Sequence, residues 1–139
     1  LLLVDKINKE LILTDQLSAT INDTRVQSQI THTISELVKQ RVYGIAAGYE
    51  DLNDHKKLRK DTLLKLLSNN PDDLGSPSTL CRLEKMANPT IKDQDILVTD
   101  FLNSCKQPPE SICLDFDPTD VILYGDQEFK KYHGYYKDY

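Results

Sequence analysis

Between residues 26 and 47 the apolar side chains Val26, Ile30, Ile34, Leu37, Val38, Val42 and Ile45 recur at intervals of three and four, with polar residues between them. That period predicts one amphipathic helix with a single buried stripe, capped by Asn22 or Asp23 and stopped at Gly48, where a residue free to take positive φ follows the last apolar position. Residues 1–13 and 15–21 carry two shorter helical patterns, the second opened by Thr14 or Asp15, and both are expected to pack on the long helix. Residues 61–67 and 78–86 predict further short helices, the latter capped by Ser78 and Thr79. Turns rich in Asn, Pro, Gly and Asp separate them. A last helix is predicted over residues 92–105, with Ile96, Leu97, Phe101 and Leu102 facing inward.

Pro108 and Pro109 end that pattern, and the period changes from 3.6 to 2. Over residues 111–117, Ile112, Leu114 and Phe116 alternate with Ser111, Cys113, Asp115 and Asp117, as along a strand with one face in a core. A second strand is predicted at 121–124, a turn at Gly125 and Asp126, and a third strand within 129–139, where Phe129, Tyr132, Tyr135, Tyr136 and Tyr139 surround Gly134. The expected fold class is therefore α+β, with a helical region over residues 1–107 and a β region over 108–139.

Composition narrows the classes of function. The chain has 139 residues, 39% of them hydrophobic, which is enough for a core, and a net charge of −5 that argues against gripping nucleic acid by bulk charge. Any such contact must be local. Residues 41–70 hold six basic and four acidic side chains, whereas residues 111–139 hold three and six, so positive and negative features are separated. No apolar run approaches the roughly 20 residues that cross a bilayer, and the apolar start is too short for a signal peptide, so the chain reads as cytoplasmic. Cys81, Cys105 and Cys113 form no C-x-x-C pair, which speaks against a disulfide framework or a zinc knuckle.

The most informative stretch is Leu114-Asp115-Phe116-Asp117-Pro118-Thr119-Asp120. On a strand Asp115 and Asp117 share a face, and two adjacent carboxylates repel unless a cation lies between them; hard divalent ions such as Mg²⁺ choose such oxygen ligands. A solvated acidic strand end fits the spacing equally well. A calcium loop does not, because Asp120 replaces the glycine of its sharp turn and Asp126 stands where a bidentate Glu belongs.

The same stretch, followed by Tyr124-Gly125-Asp126-Gln127-Glu128 and His133-Gly134-Tyr135-Tyr136, resembles the opening of the catalytic domain in bacterial insertion-sequence transposases of the DDE group 1 family. Upstream blocks agree in order: Arg41-Val42, residues Gly48 to His55, Leu58-Arg59, Asp61, Ser78-Thr79-Leu80 and Arg82-Leu83-Glu84. The resemblance implies a ribonuclease-H-like domain in which carboxylates hold two Mg²⁺ ions, roughly 3.5–4 Å apart, that activate the attacking oxygen and stabilise the departing one. It further implies DNA with terminal inverted repeats as partner and a homodimer of the full-length protein. Asp117 matches the family's first catalytic, metal-binding aspartate; Asp115 is the second candidate ligand, and Asp120, beyond Pro118, reads as a turn residue. The family's later Asp and Glu have no counterpart here, since Asp126 and Glu128 lie too close to Asp117. The chain is therefore expected to be an amino-terminal fragment, inactive alone, with a truncated β-domain.

His55-Lys56-Lys57-Leu58-Arg59-Lys60 is the one dense basic cluster. On a helix Lys56, Arg59 and Lys60 share a side; charge alone favours a solvated face, while the resemblance raises Lys56, Lys57, Arg59 and Lys60 as phosphate contacts. Two further readings stand beside the transposase: a non-catalytic helical module that binds DNA or protein and interferes with an intact transposase, and an unrelated metal-dependent phosphodiesterase.

Overall fold

The computed structural model describes residues 1–87, 91–107 and 109–115. The chain divides into two units, Leu1–Gln107 and Pro108–Tyr139. Seven α-helices lie among the described residues of the first: α1 (Leu2–Leu11), α2 (Leu13–Thr20), α3 (Ile34–Ala46), α4 (His55–Leu58), α5 (Thr62–Leu67), α6 (Pro77–Met86) and α7 (Ile91–Ser104).

The predicted long helix is shorter at its start. Thr33 and Glu36 form a capping box: Thr33 Oγ1 accepts the Glu36 N–H at 3.2 Å, and Glu36 Oε2 accepts the Thr33 N–H at 2.7 Å. Upstream, Arg25 holds residues 23–32 outside the helix, because its guanidinium grips Asp23 at 2.7 and 2.8 Å and donates to the His32 carbonyl at 3.0 Å. Val26 is consequently 61% exposed rather than part of the stripe. The expected stop holds. Gly48 has φ +88°, its N–H bonds Ile45 O at 2.8 Å, and the Tyr49 N–H bonds Gly44 O at 3.0 Å, closing a Schellman turn.

Other helix starts depend on side chains that local periodicity does not reveal. Ile12 takes a left-handed φ of 50° between α1 and α2, and Asn8 bridges the break by accepting the Thr14 N–H at 3.0 Å and donating to Thr14 Oγ1 at 2.9 Å. Neither Thr14 nor Asp15 caps α2, which begins at Leu13. Ser76, not the Ser78–Thr79 pair, caps α6, with Pro77 at the first helical position, where its missing N–H costs nothing. Asp61 caps α5 by accepting the Leu64 N–H at 2.8 Å.

Helix α3 is the hub. Ile34, Leu37 and Val38 pack with Leu80 and Leu83 of α6, joined by Leu17 and Ile21, while Tyr43 further along the helix packs with Leu64, Leu67 and Leu74, joined by Leu1 and Val4. Each buried aliphatic side chain stabilises the fold by about 1.5–3 kcal/mol relative to exposure.

Between the two clusters stands Gln40, 1% exposed. Its Oε1 accepts the Gly75 N–H at 2.8 Å, which identifies Nε2 as the donor to both Gly75 O (2.9 Å) and His55 Nδ1 (3.0 Å). One amide thus holds the backbone before α6 and the first residue of α4 against the hub. Gly75 permits this approach: a Cβ there would lie 2.5 Å from Leu37 Cδ2 and 2.9 Å from Gln40 Oε1.

Two expectations are corrected. Residues 111–115 form no strand, and Ile112 and Leu114 are 57% and 71% exposed, so among the described residues the alternating pattern has no sheet to enter. An alternating run becomes a strand only with a paired neighbour and a face to bury, and the regular structure among the described residues is helical, not the α+β, ribonuclease-H-like arrangement expected. The expected strands at 121–124 and 129–139 lie outside the described residues. In α7, Leu97, Phe101 and Leu102 are 54%, 53% and 44% exposed, not turned inward; the helix packs on α2, where Gln16 Nε2 donates to Asp100 at 3.4 Å.

Gln40→Leu keeps the volume but strands two buried backbone groups, each costing about 1–3 kcal/mol when unpaired. The expected loss is roughly 2–4 kcal/mol of stability by urea denaturation; an unchanged midpoint would show that the amide holds nothing together.

Candidate nucleic-acid interface

The basic run at residues 55–60 does not act as a unit. Asp51 opens a 3₁₀ turn (Leu52–Asp54) by accepting the Asn53 N–H at 2.8 Å, and the chain then enters α4 with His55 buried and Lys56 and Lys57 exposed. His55 is a structural residue. Because Gln40 Nε2 donates to Nδ1, the neutral ring carries its hydrogen on Nε2, and that nitrogen has no partner among the described residues. Gly44 makes room for it: a Cβ at residue 44 would lie 2.9 Å from His55 Cε1 and 3.0 Å from Nε2. Burial first, then the nearby Arg41 charge, push the imidazole below its ordinary value of 6.5. A proton on Nδ1 would also confront the Gln40 donor.

Lys60 is exposed like Lys56 and Lys57, and among the described residues none of the three forms an ion pair. Arg59 separates from them. It is half-buried, its Nη2 lies 3.6 Å from Asp73 Oδ2, its carbonyl accepts the Leu74 N–H at 2.9 Å, and its Nε is buried without an acceptor among the described residues.

Arg59 instead lines an open groove of about 790 Å³ with Arg25, His32, Ser76, Arg82 and Lys85. Ser76, the cap of α6, and Thr79, Arg82 and Lys85 along it line the groove at intervals of three, a ridge that winds around the helix. Among the described residues no Asp or Glu lines the groove. Arg25 is neutralised from behind by Asp23, whose carboxyl it holds well below the usual range, and Arg59 is partly neutralised by Asp73. Arg82 and Lys85 are exposed and form no ion pair among the described residues; Arg82 Nη2 meets only Thr79 Oγ1, at 3.4 Å. Sequence reading missed this site because Arg25, Arg59 and Arg82 are far apart in the chain. Only the fold unites them.

The carboxylates fare differently. Asp115 is exposed on a segment without regular structure, and Asp117 lies outside the described residues. Among the described residues no group of three or more His, Cys, Asp or Glu side chains is placed to hold a metal ion, so they do not by themselves fit a Mg²⁺ centre. No helix among them is long and apolar enough to cross a membrane.

The family model for the transposase DDE domain, group 1, matches residues 1–139. The chain belongs to this family of transposase DDE domains. Neither a curated protein nor a solved structure matches it.

The buried imidazole sets a pH dependence with a definite sign. An unfolded His55 takes up a proton below about pH 6.5 while the folded one resists it, so stability is full above that pH and falls as pH drops toward the lower folded value. The carboxylates whose values are lowered act in a separate window, below about pH 4: Asp5, held down by Lys9 and then Tyr43, Asp23, held down by Arg25, and Asp51, held down by Asn53. Denaturation midpoints are expected to decline as the pH drops below about 6.5, while NMR finds the His55 ring less than half protonated at pH 6.5; a ring half-protonated at 6.5 with constant stability would contradict the assignment.

Proposed function

We propose that this chain serves a bacterial insertion-sequence transposase, with its helical unit as the DNA-associated region and terminal inverted repeats as the DNA partner. The family match across residues 1–139 carries this reading. The reaction class is metal-assisted phosphoryl transfer, with Mg²⁺ the expected ion because oxygen ligands suit hard cations. By resemblance Asp117 is the catalytic, metal-binding carboxylate and Asp115 a second ligand; Lys56, Lys57, Arg59 and Lys60 are the phosphate contacts. The exposure of the three lysines supports that role. The full-length enzyme is read as a cytoplasmic homodimer. This chain alone binds without cutting, since the family's later Asp and Glu have no counterpart after Asp117.

Fluorescence anisotropy with a duplex carrying terminal repeats tests the binding. Lys56→Gln/Lys57→Gln/Lys60→Gln is expected to weaken it and to flatten the dependence of log K on log salt by about 3, near one for each phosphate no longer neutralised. No binding by the wild type at 50 mM salt would remove the reading. Incubation with Mg²⁺ is expected to leave the duplex uncut; cleavage that disappears in Asp117→Asn would instead mark a self-sufficient phosphodiesterase.

A further inference from the structure

The groove between α6 and the loop carrying Arg25 is lined by cationic and hydroxyl side chains, with Val26, Ile30 and Met86 as its apolar part. Its unpaired charges are cationic, its length runs along α6, and it is open to solvent. From Ser76 to Lys85 the helix rises roughly 14 Å at 1.5 Å per residue, about four steps of a nucleic-acid strand at 3.4 Å each. A single phosphate needs one converging cluster of donors, whereas here Arg59 lies with Ser76 near the start of α6, Arg82 and Lys85 follow along its later turns, and Arg25 and His32 come from a separate loop.

We propose that this groove is a second DNA site, apart from Lys56, Lys57 and Lys60, in which Arg82 and Lys85 bind successive phosphates of a duplex backbone while Arg25 and Arg59, the latter shared with the basic run, supply further N–H donors. The site rests on the reading that the chain handles DNA. Arg25 is pre-oriented, since its fork onto Asp23 and its bond to the His32 carbonyl fix the guanidinium before any ligand arrives. Arg59 is constrained through its backbone bond to Leu74 and its contact with Asp73. Among the described residues no Phe, Tyr or Trp lines the groove, and the single ring of His32 is no run of platforms on which successive unpaired bases stack. A site with a row of charges and one ring at most reads the backbone without regard to sequence, which favours duplex over single strand. Clamping by Gln40 at Gly75 sets the start of α6, and hence the whole row from Ser76 to Lys85, against Arg59.

Arg82→Gln/Lys85→Gln tests the site, because both side chains are exposed and neither supports the core. Anisotropy of the full 139-residue chain with a labelled duplex of arbitrary sequence is expected to show a salt slope lower by about 1.8 in the variant, at 0.9 per contact. The advantage of the wild type over the variant then shrinks about twelvefold between 50 and 200 mM salt. Arg82→Lys is expected to retain the slope. An unchanged slope in the double variant, with binding lost in Lys56→Gln/Lys57→Gln/Lys60→Gln, overturns this groove and leaves the transposase reading standing; no duplex binding by the wild type overturns both. Equal or tighter binding of a single strand of the same length, or complete displacement of duplex by 5 mM inorganic phosphate with the ionic strength held constant, also overturns it.

Discussion

A single buried carboxamide holds the helical unit in register. Hydrophobic contacts along α3 make burial favourable but are non-directional, and several placements of α4 and α6 would satisfy them. Gln40 removes that freedom. It can satisfy the Gly75 N–H, the Gly75 carbonyl and His55 Nδ1 together only when the three segments stand in one arrangement. Any displacement leaves polar groups dry and unpaired, and each such group costs about 1–3 kcal/mol, comparable to burying a whole aliphatic side chain. The two glycines that flank the network, Gly44 against His55 and Gly75 against Leu37, supply the clearance it requires.

A second buried polar group works at the amino-terminal side of the unit. Asp5 is 5% exposed, yet its carboxylate accepts the Tyr43 hydroxyl at 2.8 Å and is paired with Lys9 at 2.7 Å and Lys39 at 3.6 Å. Burial, with Asp5 beside it, raises the Tyr43 phenol and keeps it a donor. Here α1 is tied to α3 by charge-assisted bonds, while Leu2, Leu3 and Ile7 remain exposed. The two networks divide the labour along α3: the Asp5 network fixes α1, and the Gln40 network fixes α4 and α6. The groove on α6 depends on the latter.

Local signals in the sequence are legible where one residue type has one mechanical job. The apolar stripe of α3 from Ile34 to Val42, its stop at Gly48 and the short helices at α5 and α6 follow from periodicity and φ preference, while Ile45, the last predicted member of the stripe, is 48% exposed. Periodicity misplaces the start of α3 although Thr33-x-x-Glu36 carries the capping-box signature, because Val26 and Ile30 extend the apolar period across a loop that Arg25 holds by its bonds to Asp23 and the His32 carbonyl. The alternation of Ile112 and Leu114 predicts a strand, but alternation states only which side chains share a face, and the described segment has no sheet to give that face meaning. His55 sits inside a basic run and is nevertheless buried, since its partners Gln40 and Gly44 lie more than ten residues earlier. The groove is invisible in the sequence for the same reason: Arg25, Arg59 and Arg82 belong to separate elements, whereas Lys56, Lys57 and Lys60 are neighbours and announce themselves.

The claim that the Gln40 amide holds these elements together meets its most direct test in amide hydrogen exchange at Gly75. With its N–H bonded to a side chain 35 positions earlier, in a buried setting, this amide should exchange only when the whole unit unfolds, as slowly as the core amides of α3. Exchange at the rate of an exposed turn amide would contradict the account, since the loop before α6 would then move independently of the hub.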